Sequence, residues 1–422
     1  MPLARLATLA AAVLLAWPAL PALAQRPDTI VKQAGAPRHP GVATLVKEMS
    51  IGVVDGADEY MLGSVSEIAV ARDGSIYVYD RQAPALRKYD AQGKFVKTFG
   101  RKGRGPGEYL DAGGLALTAD GRVLLWDTGN WRINVYSPDG TVLPSWSTLS
   151  GAGGNVSMST GRSLMVDTAG RTYVRRRLFG ARAPSESRTV WIRYRPDGTP
   201  LDTIGPPRFT AQAMLLTAAS PGGRATTSMG VPFAPTPRTV MSPLGHLVTG
   251  LADRYAFEIH AVPGRPVTSV RRNVEAVSVT RHERDSARDA VVERMRRTEP
   301  AWSWNGPGIP AHKPYYADLF AADDGRIWVA VVGEVAQRVG SVSGGGGGGG
   351  PARPNRPAAP ASVPPTPRPA LYDVFEPNGA YVGQVEVPPR VSTVVRRGDY
   401  VWGVEFDDDD VQRVVRFRIV WT

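Results

Sequence analysis

Cysteine is absent from the 422 residues, which excludes disulfides, thiolate metal sites and cysteine nucleophiles. Histidine is scarce: His39, His246, His260, His282 and His312 are scattered, and none has the HExxH spacing of a zinc site. No serine sits in a GxSxG elbow. Charged residues make up 21%, too few for a disordered polyelectrolyte, and the 42% of apolar residues suffice for a large core. Long apolar runs are missing beyond the N-terminus. Glycine (46) and proline (37), by contrast, are plentiful, which argues against a helical bundle and for many turns.

Residues 1–24 have the pattern of a signal peptide. Arg5 supplies a positive start, 6–17 are apolar apart from Thr8, and Ala22-Leu23-Ala24 before Gln25 fits a small-x-small cleavage site. Pro18 and Pro21 interrupt the stretch too soon for a comfortable membrane span, which disfavours the alternative of an uncleaved anchor. The absence of cysteine excludes a lipoprotein-type lipid anchor. The mature chain is therefore expected to be periplasmic or secreted, with no membrane span. Loss of Arg5 lowers the formal charge from +11 to +10.

A repeat organises the rest. DGSIYVYD at 73–80 reads as a tight turn followed by a strand rich in β-branched and aromatic residues. It returns as DGRVLLWD at 120–127 and AGRTYVRR at 169–176, and more weakly as LGHLVTGL at 244–251, DGRIWVAV at 324–331 and RGDYVWGV at 397–404. Its turn glycines are Gly74, Gly121, Gly170, Gly245, Gly325 and Gly398. A second turn recurs as YDAQG at 89–93, YSPDG at 136–140, YRPDG at 194–198 and FEPNG at 375–379. The first unit reads as four strands near 65–70, 75–79, 85–89 and 94–99. Four-stranded antiparallel units recurring at this spacing are blades of a β-propeller.

The sixth unit has room for only three strands, near 391–395, 399–406 and 411–420, while a strand-like segment near 44–54 precedes the first blade. The simplest reading pairs the two, so that the N-terminal strand closes the last blade. The expected organisation is all-β: a signal peptide at 1–24, an extension at 25–42 and a six-bladed propeller at 43–422.

DTGNWRINVYSPDG at 127–140 resembles the NHL repeat, and FGRKGRGPGEYLDAGGLAL at 99–117 resembles the glycine-rich connection between NHL blades. PAHKPYYADLFAADDGRIWV at 310–329 is similar to a segment of exported bacterial six-bladed propellers of undefined function. The resemblance implies a six-bladed propeller and no single activity, because that fold hosts ligand-binding proteins, sensors, lactonases and lyases.

In a propeller, turns between strands 1–2 and 3–4 share one face, and 2–3 loops and 4–1 connections share the other. The insertions near 175–188 and within 331–370 are 2–3 loops. The segments 206–240 and 271–319 are 4–1 connections. All four decorate one face, which marks it as the binding face. The stretch 341–370, with Gly344 to Gly350 followed by eight prolines, reads as a disordered loop inside blade five. Residues 282–299 read as a surface helix, docked on the propeller by Ala287, Val291 and Met295.

Candidate binding residues follow from that face. Arg101, Lys102 and Arg104 occupy a glycine-rich connection, with Trp131 in the NHL-like turn. Arg175, Arg176 and Arg177 open a 2–3 loop. Trp302, Trp304, Lys313 and Tyr315 lie in a 4–1 connection. Arginine with aromatics suits carboxylate, phosphate or sugar-like ligands. No catalytic or metal-ligating set stands out: the acidic run Asp407–Asp410 reads as a solvated turn, and Asp55, Asp58 and Glu59 read the same way. The expectation is an exported, monomeric, non-catalytic binding module for a protein, peptide or glycan of the cell envelope, without a cofactor. Export and the spread of basic charge argue against nucleic acid. The alternative is a lactonase-like hydrolase or lyase with a divalent cation in the central channel, for which Glu67, Asp167 and Asp318 are the inner-strand contributors. Mass spectrometry of the exported protein should show a chain beginning at Gln25; an intact Met1 end would make the segment an anchor.

Overall fold

The structure is a computed structural model and describes residues 29–148, 163–178, 188–206, 214–223, 225–261, 266–332 and 369–422. The expected signal peptide and most of the glycine-proline loop lie outside the described residues.

Five four-stranded antiparallel blades follow one another at 65–99, 112–147, 164–204, 237–271 and 316–387, and the sixth joins three strands at 391–420 to Val42–Ile51. The first comprises Val65–Val70, Ile76–Asp80, Ala85–Tyr89 and Phe95–Phe99. Its second strand, and its counterpart Val123–Asp127 in blade two, are buried throughout, because neighbouring blades cover both faces. This explains the unbroken apolar pattern of IYVYD and VLLWD. Each is reached through a tight turn whose glycine has positive φ, 86° at Gly74 and 82° at Gly121, where a Cβ would be strained.

The core is a ring of interblade clusters. Tyr79, Phe99, Tyr109 and Tyr136 join blades one and two. Trp126, Leu164 and Tyr194 join two and three. Phe257, Tyr316 and Phe375 join four and five. Trp328, Val374 and Ile419 join five and six. Val395, Trp402 and Val414 pack on Ile68 and Val78, returning blade six to blade one. Among the described residues, the three–four junction has the smallest cluster, built mainly from Met165, Tyr173, Trp191, Met241 and Leu247.

Closure follows the expected route. Thr44–Ile51 pairs antiparallel with Val414–Val420 as the outer strand of blade six, and Val42 and Ala43 pair parallel with Gln384 and Val385 of blade five. The 25–42 extension also holds a strand that the sequence did not reveal. Thr29–Gln33 lies parallel on the outer edge of blade four, paired with Val267–Arg271.

The helix spans Arg281–Arg296 and starts in a capping box of Thr280 and Glu283. Ala287, Val291 and Met295 are its buried stripe, as the spacing requires. Its docking differs from expectation. Val291 and Met295 pack with Leu216, Ala218, Val231 and Trp302. The hairpin formed by Leu215–Ala219 and Thr226–Gly230, with the helix, thus makes a cap with its own core, supplied by the connections on either side of blade four.

Buried carboxylates fix the loops. Asp80 accepts from the backbone amides of Gly63, Ser64 and Gln82, each at 2.9 Å, with Arg87 at 3.6 Å. Asp127 accepts from the amides of Leu110, Asp111, Gly129 and Asn130 at 3.1 to 3.4 Å, and from Asn130 Nδ2 at 2.6 Å. Asp127→Ala would orphan these donors and should cost roughly 3 kcal/mol in urea unfolding.

Turn aspartates add a pH dependence. The Ser75 amide holds Asp73 below the usual carboxylate range, as the Thr118 hydroxyl does Asp120, the Ser137 hydroxyl Asp139 and the Thr199 amide Asp197. A depressed folded pKa gives stability that is present above the unfolded value and lost as pH falls through the folded value. The urea midpoint should therefore decline progressively below about pH 4. Replacing all four by asparagine should flatten that decline.

Candidate functional site

The loop-bearing face divides into two groups of side chains and a central rung. The first group spans blades one to three. Arg101 and Lys102 form a short parallel pairing with Glu108 and Tyr109 inside the glycine-rich connection. Glu108 holds that loop: it accepts from Gly105 N and from Arg101 Nε, each at 2.7 Å, and these bonds keep its carboxyl below the usual range, the Gly105 amide contributing most. Asn130 Nδ2 donates to Gly103 O at 2.9 Å, and Arg132 Nη2 to Arg104 O at 3.3 Å and Glu108 O at 2.7 Å. The loop is thereby fastened to the turn that Asp127 organises. Arg101, Lys102 and Arg104 remain exposed on it.

Trp131 sits at the tip of that turn with φ 56° and is 44% exposed. A tryptophan in the left-handed region costs about 1–2 kcal/mol, offset here by the bonds on either side of it. The Arg176 guanidinium lies between two indoles, 5.5 Å from the Trp131 ring and 5.7 Å from the buried Trp126 ring. Arg176 is itself buried. It supports the exposed indole from below. Arg175 stacks 5.9 Å from Trp191, and Arg177 pairs with Thr189 in the same hairpin. The structure therefore brings Arg101, Lys102, Arg104, Trp131 and Arg176 to one sector of the face, whereas Arg175, on the opposite face of its strand, packs on Trp191 toward blade four and Asp318.

The second group belongs to the cap and its base. Trp302 is buried and donates through Nε1 to Thr217 O at 2.7 Å. Trp304 donates to Gly306 O at 3.1 Å and Pro307 O at 2.9 Å and carries Arg288 at 5.6 Å from its ring. Lys313 is buried and bonds Glu283 Oε1 at 2.6 Å, which, with the Thr280 amide, keeps the Glu283 carboxyl below its usual range. These three side chains tie the cap together. Tyr315 is separate: it is half-buried and lines a groove beside Arg254 and Arg272 at the junction of blades four and five.

The rung lies at the loop-bearing end of the channel. Glu67, Gly114, Arg238 and Asp318 pair with Tyr79, Trp126, Gly250 and Ala330, each five residues after its blade's turn glycine, so all four occupy equivalent inner-strand positions. Arg238 Nε is 3.8 Å from Asp318 Oδ1, across blades four and five. Burial pulls the Arg175 guanidinium below its ordinary value, and the nearby Asp318 charge works against that shift.

Asp167 is not on this rung. It lies at the opposite face, where it accepts from Arg171 Nε at 2.6 Å, Tyr173 Oη at 2.9 Å and two turn amides. The Asp407–Asp410 segment is a turn: Asp407 accepts from the amides of Asp409 and Val411 and pairs with Arg413, and Asp410 pairs with Arg390. Among the described residues, no three His, Asp or Glu side chains are grouped to hold a metal ion. His39 stacks on Trp421 at 4.7 Å, and His260 bonds Thr249.

Two features escaped sequence reasoning. Arg238 becomes visible only once strand register is known. Asp373 is a fully buried carboxylate that receives Arg272 Nη1 at 2.6 Å, Tyr381 Oη at 2.7 Å, Gln384 Nε2 at 3.0 Å and the Tyr255 hydroxyl. It reads in sequence as one polar residue in LYDVF, with no signal of its partners.

The matching family model agrees with this architecture. The family DUF5128, described as a 6-bladed beta-propeller, matches residues 54–143. No curated protein matches the chain. A Bacteroides fragilis protein provisionally described as exported aligns at 9% identity over 93% of this chain and 99% of its own, with TM-score 0.47. A member of the DUF4221 family from Bacteroides vulgatus aligns at 10% identity over 90% of this chain and 99% of its own, with TM-score 0.48. Virginiamycin B lyase from Staphylococcus aureus aligns at 10% identity over 85% of this chain and 95% of its own, with TM-score 0.35. No helix among the described residues is long and apolar enough to cross a membrane. The chain is a six-bladed β-propeller, with its long connections gathered on one face.

Proposed function

We propose that this chain is an exported, non-catalytic binding module that takes an acidic peptide, protein segment or glycan of the cell envelope on the loop-bearing face of blades one to three. The observation that carries the reading is Trp131. Its indole is presented to solvent from a left-handed backbone position, over the Arg176 guanidinium and beside exposed Arg101, Lys102 and Arg104. A large aromatic ring backed by one guanidinium, with further cations on the loop fastened to its turn, is the composition of a binding hot spot for an anionic partner. A second reading, a divalent-cation hydrolase or lyase working in the channel, is favoured by the placement of Glu67 and Asp318 on one rung, and opposed by the Arg238 guanidinium beside Asp318.

The two readings separate in one set of assays on the mature chain. An array of acidic peptides and envelope glycans should yield salt-sensitive binding. Trp131→Gly, which suits the left-handed position and so keeps the fold, should weaken it about tenfold. Arg104→Ala should weaken it less and reduce its salt dependence. Binding unchanged by Trp131→Gly would refute the assignment. Lactone or ester hydrolysis that EDTA abolishes and Asp318→Asn removes would establish the second reading instead.

A further inference from the structure

The groove that contains Tyr315 lies two to three blades around the ring from Trp131 and has its own chemistry. It has a volume of about 630 Å³ and opens at the junction of blades four and five, lined by Arg254, Arg271, Arg272, Asn273, Glu275 and Tyr315 among others. Three guanidinium-bearing residues in one groove are costly to gather unless something anionic is meant to enter.

Arg272 is held for that purpose. Asp373, buried in the third strand of blade five, takes Arg272 Nη1 at 2.6 Å, and the guanidinium lies 4.5 Å from the Tyr381 ring and 5.7 Å from the Tyr255 ring. A buried carboxylate on one edge and two aromatic rings fix the plane of the guanidinium. About a quarter of the side chain, 27%, stays open to solvent. Asp373 is the only hydrogen-bond acceptor of that side chain among the described residues. The fork therefore reaches the groove oriented and with donors to spare, and a ligand loses little side-chain entropy in using it.

The surroundings narrow the ligand class. Arg254 is exposed and weakly paired with Asp253 at 3.4 Å, so it is available at the rim. Tyr315 offers a half-buried ring, and Asn273 a side-chain amide already bonded to Gln33, at 3.3 Å. A ring face and amides serve a hydroxylated body. Glu275 and Asp253 stand beside the groove and penalise a compact dianion such as phosphate more than carboxylates carried singly on successive sugar rings.

We propose that this groove is a second binding site, for an acidic sugar: Arg272 receives the carboxylate, Arg254 and Arg271 close over it, and the pyranose rests on Tyr315. The site stands independently of the Trp131 surface.

Calorimetric titration with trigalacturonate as the acidic probe, maltotriose as its neutral counterpart and inorganic phosphate tests it. Trigalacturonate should bind, more weakly at high salt, and maltotriose should not. Arg254→Ala combined with Arg271→Ala, both at exposed positions, should keep the fold and weaken trigalacturonate at least tenfold. Arg272→Lys, which keeps the charge and loses the fork, should also weaken it. If that variant unfolds, the rim double variant decides. Trigalacturonate binding should survive Trp131→Gly, which separates failure here from failure of the peptide or glycan surface on blades one to three. Equal binding of the acidic and neutral sugars, no binding of either, affinity unchanged in the rim variant, or displacement by phosphate at equal strength would overturn the assignment.

Discussion

The pairing of Thr44–Ile51 with Val414–Val420 is the constraint on which the architecture depends. A propeller of separate blades has an open seam wherever the chain begins and ends, and an open seam exposes a strand edge. Here the outer strand of the last blade comes from the N-terminal side, and its first residues also pair with blade five. Charged contacts reinforce the seam: Lys47 with Glu405 at 2.6 Å and Arg418 with Glu48 at 2.7 Å. Hydrophobic packing of Trp402 and Val414 on Ile68 and Val78 then completes the ring. Because every blade runs its strands in the same up-and-down order, the 2–3 loops and 4–1 connections emerge on one side, and insertions accumulate there without disturbing the blades.

Within the ring, buried carboxylates do for polar backbone what aromatic clusters do for apolar surface. Asp80 and Asp127 gather amides that would otherwise be orphaned where a connection enters its blade. Asp373 joins a strand of blade five to Arg272 and Tyr255 of the preceding junction. Fixing these loops also fixes the side chains they carry, which is how Trp131 and Arg272 reach the surface in defined orientations. The Trp131 sector and the Arg272 groove are both consequences of a structural carboxylate nearby.

The repeat was legible because glycine turns and apolar strands are local signals. DGSIYVYD and its copies locate the strands to within a residue or two, and the shortfall of one strand after Val391 points to closure from the N-terminus. The helix stripe of Ala287, Val291 and Met295 was legible for the same reason, but what it packs on was not. Its partners, Leu216 and Trp302, lie in other connections, and no periodicity records that. Lys313 and Trp302 resembled ligand contacts in sequence, whereas the fold uses them inside the cap. Asp167 resembled an inner-strand acid, yet its place after the strand puts it at the opposite face with Arg171 and Tyr173. Arg238 and Asp373 depend on register and interblade contact, which a single sequence does not display.

The most direct test of the closed ring uses the absence of native cysteine. Val46 and Arg418 are register partners across the seam, so Val46→Cys with Arg418→Cys places a unique thiol pair there. A closed ring gives near-complete disulfide formation in the folded chain under mild oxidant, with a reducible rise in the unfolding midpoint because the link spans almost the whole propeller. Two free thiols in the folded, oxidised chain, or a link that forms only after denaturation, would contradict it.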